Sequence, residues 1–150
     1  MGLVLSLGLP VAGCAQAGGA PGTDAAAAPA ASLPQQWQAL RSLPGHFDGA
    51  AWNDAVDRWQ GQKHRVMQQL AQQALSQRLS AERLNALMGA PDQTLAPDLP
   101  DRAGLLQQTR WQGTPTGDLW LYRWRGTHDQ LVFALDAGQV VATGWLYALE

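Results

Sequence analysis

The periodicity of apolar residues changes once along this chain, and that change limits the folds open to it. Between Trp52 and Leu79 the positions Trp52, Val56, Trp59, Val66, Leu70 and Ala74 recur at steps of three, four or seven, the spacing of one helical face. Met67 and Leu75 widen the stripe, and Asp54, Arg58, Gln62, Arg65, Gln69 and Gln72 fall on the opposite side, which suits water. From Leu119 the step becomes two. The stretch "LWLYRWR" puts Trp120, Tyr122 and Trp124 on one face and Leu121, Arg123 and Arg125 on the other. Helices first and strands afterwards describe an α+β chain, not alternating βαβ units.

Local signals divide the two regions further. Gly61 falls inside the long helical pattern, where it costs up to about 1 kcal/mol against alanine and can split or bend the segment. A shorter helix follows in "LSAERLNALMGAPD". Ser80 is its N-cap, because the hydroxyl can accept from an orphan backbone N–H, and Leu84, Leu87 and Met88 form its apolar face. Gly89 suits the position after the helix, where positive φ is needed, and Pro91 prevents continuation. The prolines and aspartates between Asp92 and Gln108 indicate a loop. Beyond Leu119, "DQLVFALDAGQVVATGWLYALE" supplies two more strands joined near Asp136, Ala137 and Gly138, with Gly126 to Asp129 as the preceding turn. "TRWQG" offers a fourth, edge strand. The expected architecture is a two-layer sandwich of N-terminal helices packed on a three- to four-stranded antiparallel meander. Trp120, Tyr122 and Trp124 are expected under the helices, and Leu121, Arg123 and Arg125 toward solvent or a partner.

The N-terminal region has a different composition. Leu3 to Ala12 is an apolar run far short of the ~20 residues that span a bilayer as a helix, but of the right size for the apolar core of a secretion signal. It leads to Cys14, the only cysteine, which can form neither an internal disulfide nor a metal site alone. The segment "VAGC", Val11, Ala12, Gly13 and Cys14, resembles the lipobox of bacterial lipoprotein signal peptides. That resemblance implies cleavage after Gly13, a diacylglycerol on the Cys14 sulfur and acylation of its amine. It also implies an outer-membrane destination, since Ala15 stands where an aspartate would signal retention at the inner membrane. Small, almost uncharged residues then run to Ser32 and bury too little area to offset their ordering entropy. The chain thus reads as a signal peptide over 1–13, a lipidated cysteine and flexible tether over 14–36, and one α+β domain over 37–150.

Charge and chemistry narrow the function. A formal charge of -2 with a single lysine, Lys63, does not describe a nucleic-acid-binding surface. His46, His64 and His128 lack metal-ligand spacing, so no metal or cofactor is expected. His128 and Asp129 are expected to fix the turn they occupy, and His64 to be an ordinary boundary residue. No nucleophile elbow is present. Seven tryptophans give a small domain unusual apolar area, and some serve a surface. The candidate interaction surface comprises Arg123, Arg125, Trp145 and Tyr147, since Arg and Trp are frequent binding anchors.

Three elements in order resemble the small outer-membrane lipoproteins of the BamE type, also called SmpA/OmlA-like. They are the helix stop Gly89-Ala90-Pro91, the strand pair Trp120 and Tyr122, and the Asp136-Ala137-Gly138 hairpin followed by Val140. The resemblance covers roughly residues 63 to 147 and implies a helix-and-sheet domain on the periplasmic face of the outer membrane. Such proteins act without catalysis, supporting membrane assembly by contact with other proteins or lipid. The expected function is therefore a non-catalytic, lipid-anchored scaffold with an envelope protein partner, and peptidoglycan or a lipid head group as further candidate contacts. The alternative is a periplasmic hydrolase or small-ligand-binding protein on the same anchor.

Overall fold

The computed structural model describes residue 2 and residues 30–147, so Val11, Ala12, Gly13 and Cys14 lie outside the described residues. The described chain is a small α+β domain. Its helices are α1 (Leu33–Arg41), α2 (Asp54–Asp57), α3 (Gln62–Ser76), α4 (Ala81–Met88) and α5 (Arg102–Gln108). Its strands are β1 (Gln93–Leu95), β2 (Arg110–Gly113), β3 (Asp118–Arg123), β4 (Gln130–Asp136) and β5 (Gln139–Leu146). They form one open antiparallel sheet in the order β1-β3-β4-β5-β2.

The helical segment expected from Trp52 is two helices. Arg58 is extended, with ψ 132°, and Gln60 takes φ 56°, so the chain leaves helical geometry after Asp57 and re-enters it at Gln62, after the extended N-cap Gly61. Gly61 lies so close to the Asp54 and Arg58 carbonyl oxygens that a Cβ would sit 2.7 and 2.8 Å from them. Only a residue without a side chain fits this corner. α3 then ends three residues before Leu79. Arg78 adopts φ 45°, its N–H reaches Leu75 O (3.1 Å) and the Leu79 N–H reaches Ala74 O (3.0 Å), which satisfies two orphan carbonyls. Ser80 caps α4 as expected, its hydroxyl accepting from the Arg83 N–H at 3.3 Å. The β4–β5 hairpin turns on two left-handed residues, Ala137 (φ 47°) and Gly138 (φ 73°), a geometry that matches the strand twist.

Three departures enlarge the fold. Residues 33–36, expected in the tether, are helical, because Pro34 suits the first turn and the Gln35 side chain accepts from the Ser32 N–H at 3.0 Å. α1 is held to the domain by Trp37, which is fully buried and donates its indole N–H to Met88 O at 2.7 Å. The segment expected as a loop contains β1, which pairs with β3, and α5. Four strands were the upper expectation; β1 makes five.

The sheet is buried on both faces. On one, Trp37, Val66, Met67, Leu70, Leu84 and Met88 from the helices pack on Tyr122, Trp124, Leu131, Phe133 and Val140. That is where Tyr122 and Trp124 were expected, with Trp120 partly buried beside them. On the other face Leu119, Leu121, Val132, Ala134 and Ala142 form a second cluster, against which Leu105 and Leu106 of α5 pack. Leu121 is therefore buried rather than solvent-facing.

Candidate functional site

One end of the sheet carries a cluster of five rings, four of them packed around His64. Its imidazole stacks on Trp124 (centroids 4.4 Å, 27° between planes) and touches Trp145 at 4.7 Å and Trp59 at 4.9 Å. His64 Nε2 is 3.3 Å from the Tyr147 hydroxyl oxygen. Trp145 and Tyr147 stack almost in parallel, 3° apart, because residues two apart on β5 and its extension share a face. The rings grade from inside to outside. His64 and Trp124 are buried, Trp145 and Tyr147 half-buried, and Trp59 is 54% exposed while contacting Tyr147 at 5.2 Å.

His64 is thus the hub of the cluster and not a boundary residue. Burial pushes its pKa down to about 4, helped by the nearby Arg125 cation and opposed by Asp129. The neutral ring keeps Nδ1 buried without a hydrogen-bond partner. This has a consequence for stability. An unfolded chain takes up the His64 proton near pH 6.5, whereas the fold resists it down to about pH 4. The contribution is complete above pH 6.5, and between those values the unfolded state binds more protons, so stability falls with pH by up to about 1.4 kcal/mol per unit. Urea midpoints at pH 7, 6 and 5 should decline for the wild type and decline less for His64→Phe. Parallel declines would assign the effect to other groups.

The predicted surface residues separate. Trp145 and Tyr147 belong to the cluster, but Arg125 is held as a structural group. It pairs with the buried Asp129 carboxylate (Nε to Oδ2, 2.5 Å), donates from Nη1 to Asp57 O at 3.0 Å, and lies over the rings of Trp124 (4.5 Å) and Phe47 (5.0 Å). The expected open arginine is thereby corrected: the turn from Gly126 to Asp129 folds back and supplies it with a carboxylate. Asp129 does fix that turn, and its carbonyl also accepts from the Trp124 N–H at 2.9 Å. His128 is exposed and shares no site with it.

Arg123 remains exposed, but it lies elsewhere, at a cleft of about 420 Å³ whose lining also includes Arg41, Asp48, Lys63 and Asp92. The Asp92 carboxylate accepts from the Arg123 backbone N–H at 2.7 Å and stands 3.9 Å from the Arg41 guanidinium. Arg41 in turn donates to the carbonyls of Met88 and Ala90, closing the end of α4.

The sequence alone does not mark Trp59, His64 and Lys63 as site residues. Trp59 carried a misleading signal, since its helical spacing from Val56 and Val66 placed it inside; the break at Gly61 turns it outward. Being the sole lysine was a signal for Lys63. His64 had none beyond lying on the helical segment.

Among the described residues, no group of three or more His, Cys, Asp or Glu side chains could hold a metal ion, and no helix is long and apolar enough to cross a membrane. Comparison with protein-family models, curated proteins and solved structures gave no match. The fold defines a small α+β domain with helices packed on an open antiparallel sheet, presenting a partly exposed aromatic cluster and a cleft lined by three cations and two carboxylates.

Proposed function

We propose that the chain is a non-catalytic outer-membrane lipoprotein. It is anchored by Cys14 on the periplasmic face and acts as a scaffold or assembly factor by contact with an envelope protein. The observation that carries the contact reading is the aromatic cluster: Trp59 is 54% exposed, yet its ring packs at 4.9 Å from His64 and 5.2 Å from Tyr147. A large ring that is exposed and already ordered loses little freedom on binding, which is what an anchor residue needs. "VAGC" supports the location. The Gly89-Ala90-Pro91 stop, the Trp120/Tyr122 strand and the Ala137-Gly138 turn follow one another as in the BamE-type family, supporting a BamE-like arrangement with α5 added on the second face.

Two substitutions test the two halves separately. Cys14→Ala should abolish incorporation of labelled fatty acid and move the protein from the membrane fraction to the soluble one. Continued labelling would remove the anchor. A photo-crosslinking amino acid at position 59 should capture an envelope protein in intact cells, and Trp59→Ala should weaken that interaction about tenfold or more. Capture of peptidoglycan or lipid alone, or a wild-type interaction with Trp59→Ala, would remove the protein-contact reading.

A second reading, small-ligand binding on the same anchor, is favoured by the cleft. A pocket collecting His128 and Asp129 would favour the hydrolase form of that alternative; Asp129 is buried against Arg125 while His128 is exposed, so these two residues lend it no support.

A further inference from the structure

The cleft beside α1 is chemically distinct from the aromatic surface. Lys63 stands on α3 and is only 3% exposed, an uncommon position for a lysine. Its ammonium reaches two backbone oxygens, of Leu43 at 3.3 Å and of Arg41 at 3.5 Å, both long contacts. No carboxylate lies within ion-pair distance of it among the described residues. An ammonium has three donors, so one is left over. The Arg123 side chain, lining the same cleft, makes no hydrogen bond, ion pair or ring contact among the described residues, although its backbone N–H is fixed by Asp92. Arg41 adds a third cation, while Asp48 and Asp92 supply two negative charges. The Asp92 carboxylate is already engaged by the Arg123 N–H and Arg41.

A buried ammonium without a counter-ion is costly, and an unpaired guanidinium in the same cleft has five donors in a planar fork suited to oxyanions. The cleft volume of about 420 Å³ is within the usual range for small-molecule sites. We propose that this cleft binds the oxyanion end of a small molecule, a carboxylate or a phosphate group, between Lys63 and Arg123. Arg41 sets the positive field, and Trp124 is among the residues lining the same cleft. This site needs neither the lipid anchor nor the aromatic contact surface, so its failure would leave that function standing.

Burial lowers the Lys63 pKa to about 8, with Arg41 acting the same way and Asp92, Asp48 and Asp57 opposing. An anion settling beside it raises that value again. Because Lys63 is the only lysine, labelling the full chain with isotopic lysine gives one side-chain signal to follow. The titrants are inorganic phosphate and succinate, each against sodium chloride at matched ionic strength. The expected result is a saturable shift of the Lys63 signal, a titration midpoint moved upward by the bound anion, and roughly tenfold weaker binding by Arg123→Gln. Arg123 is exposed, so that variant keeps the fold, which the unligated spectrum checks directly. A response to phosphate alone assigns a phosphate-bearing ligand, and a response to succinate alone a carboxylate. A shift no different from that with chloride, or undiminished binding by Arg123→Gln, overturns the proposal.

Discussion

Replacing Trp124 with alanine should cost about 4 kcal/mol, the scale for emptying a buried tryptophan site. The side chain is 1% exposed, and its indole N–H donates to Val56 O at 2.6 Å. Its ring stacks on His64 and lies beneath Arg125. Truncation therefore removes the wall of the His64 site, the partner of a carbonyl at α2, and a surface on which a cation rests. A domain of this size has a total stability of roughly 5–15 kcal/mol, so the variant should be marginal. Trp124→Phe keeps a ring against His64 but loses the hydrogen bond, and should cost less, about 1–2 kcal/mol. Urea unfolding of both variants checks the order. Equal losses would mean that ring packing on His64 contributes nothing.

Asp129→Ala should be the other severe change, at about 2–4 kcal/mol, because it strands a partly buried guanidinium. The side chains of Arg125 and Asp129 are 15% and 2% exposed, so water can replace little of what the carboxylate supplies. The remaining Arg125 contacts, to Asp57 O and to two ring faces, favour the cation without neutralising it. Replacing both partners, Arg125→Met with Asp129→Leu, should recover much of the loss, since neither charge is then left alone. A double-mutant cycle measures the coupling; additive losses would show that the pair does not act as a unit.

Those two residues also show what was legible in the sequence. The strand "LWLYRW" and its inward face could be read because alternation by two leaves little choice once one face is apolar. The start of α4 and the β4–β5 hairpin were equally clear, since Ser80 and Gly138 each meet a specific backbone need. Alternation leaves Arg125 open because it assigns a face and is silent about the loop after it. Only the return of the chain at Gly126 to Asp129 brings a carboxylate to that side. Trp59 failed for the opposite reason. Its spacing was helical, but the helix does not exist at Arg58 and Gln60, so periodicity carried across a break that one glycine had already signalled. β1 and α5 are too short to show a period, and the prolines around them outweighed the signal they had. The anchor rests wholly on sequence, since Cys14 lies outside the described residues.

The seclusion of the one lysine has a practical side. Reagents that couple to amines, the usual means of trapping neighbours in a living cell, find no accessible side-chain amine on this domain. If Cys14 is the first residue of the exported form and its amine is acylated, the backbone offers none either. A survey of contacts by such reagents would return the protein as solitary, whatever it touches. Partners will have to be sought with light-activated groups or with chemistry directed at carboxylates.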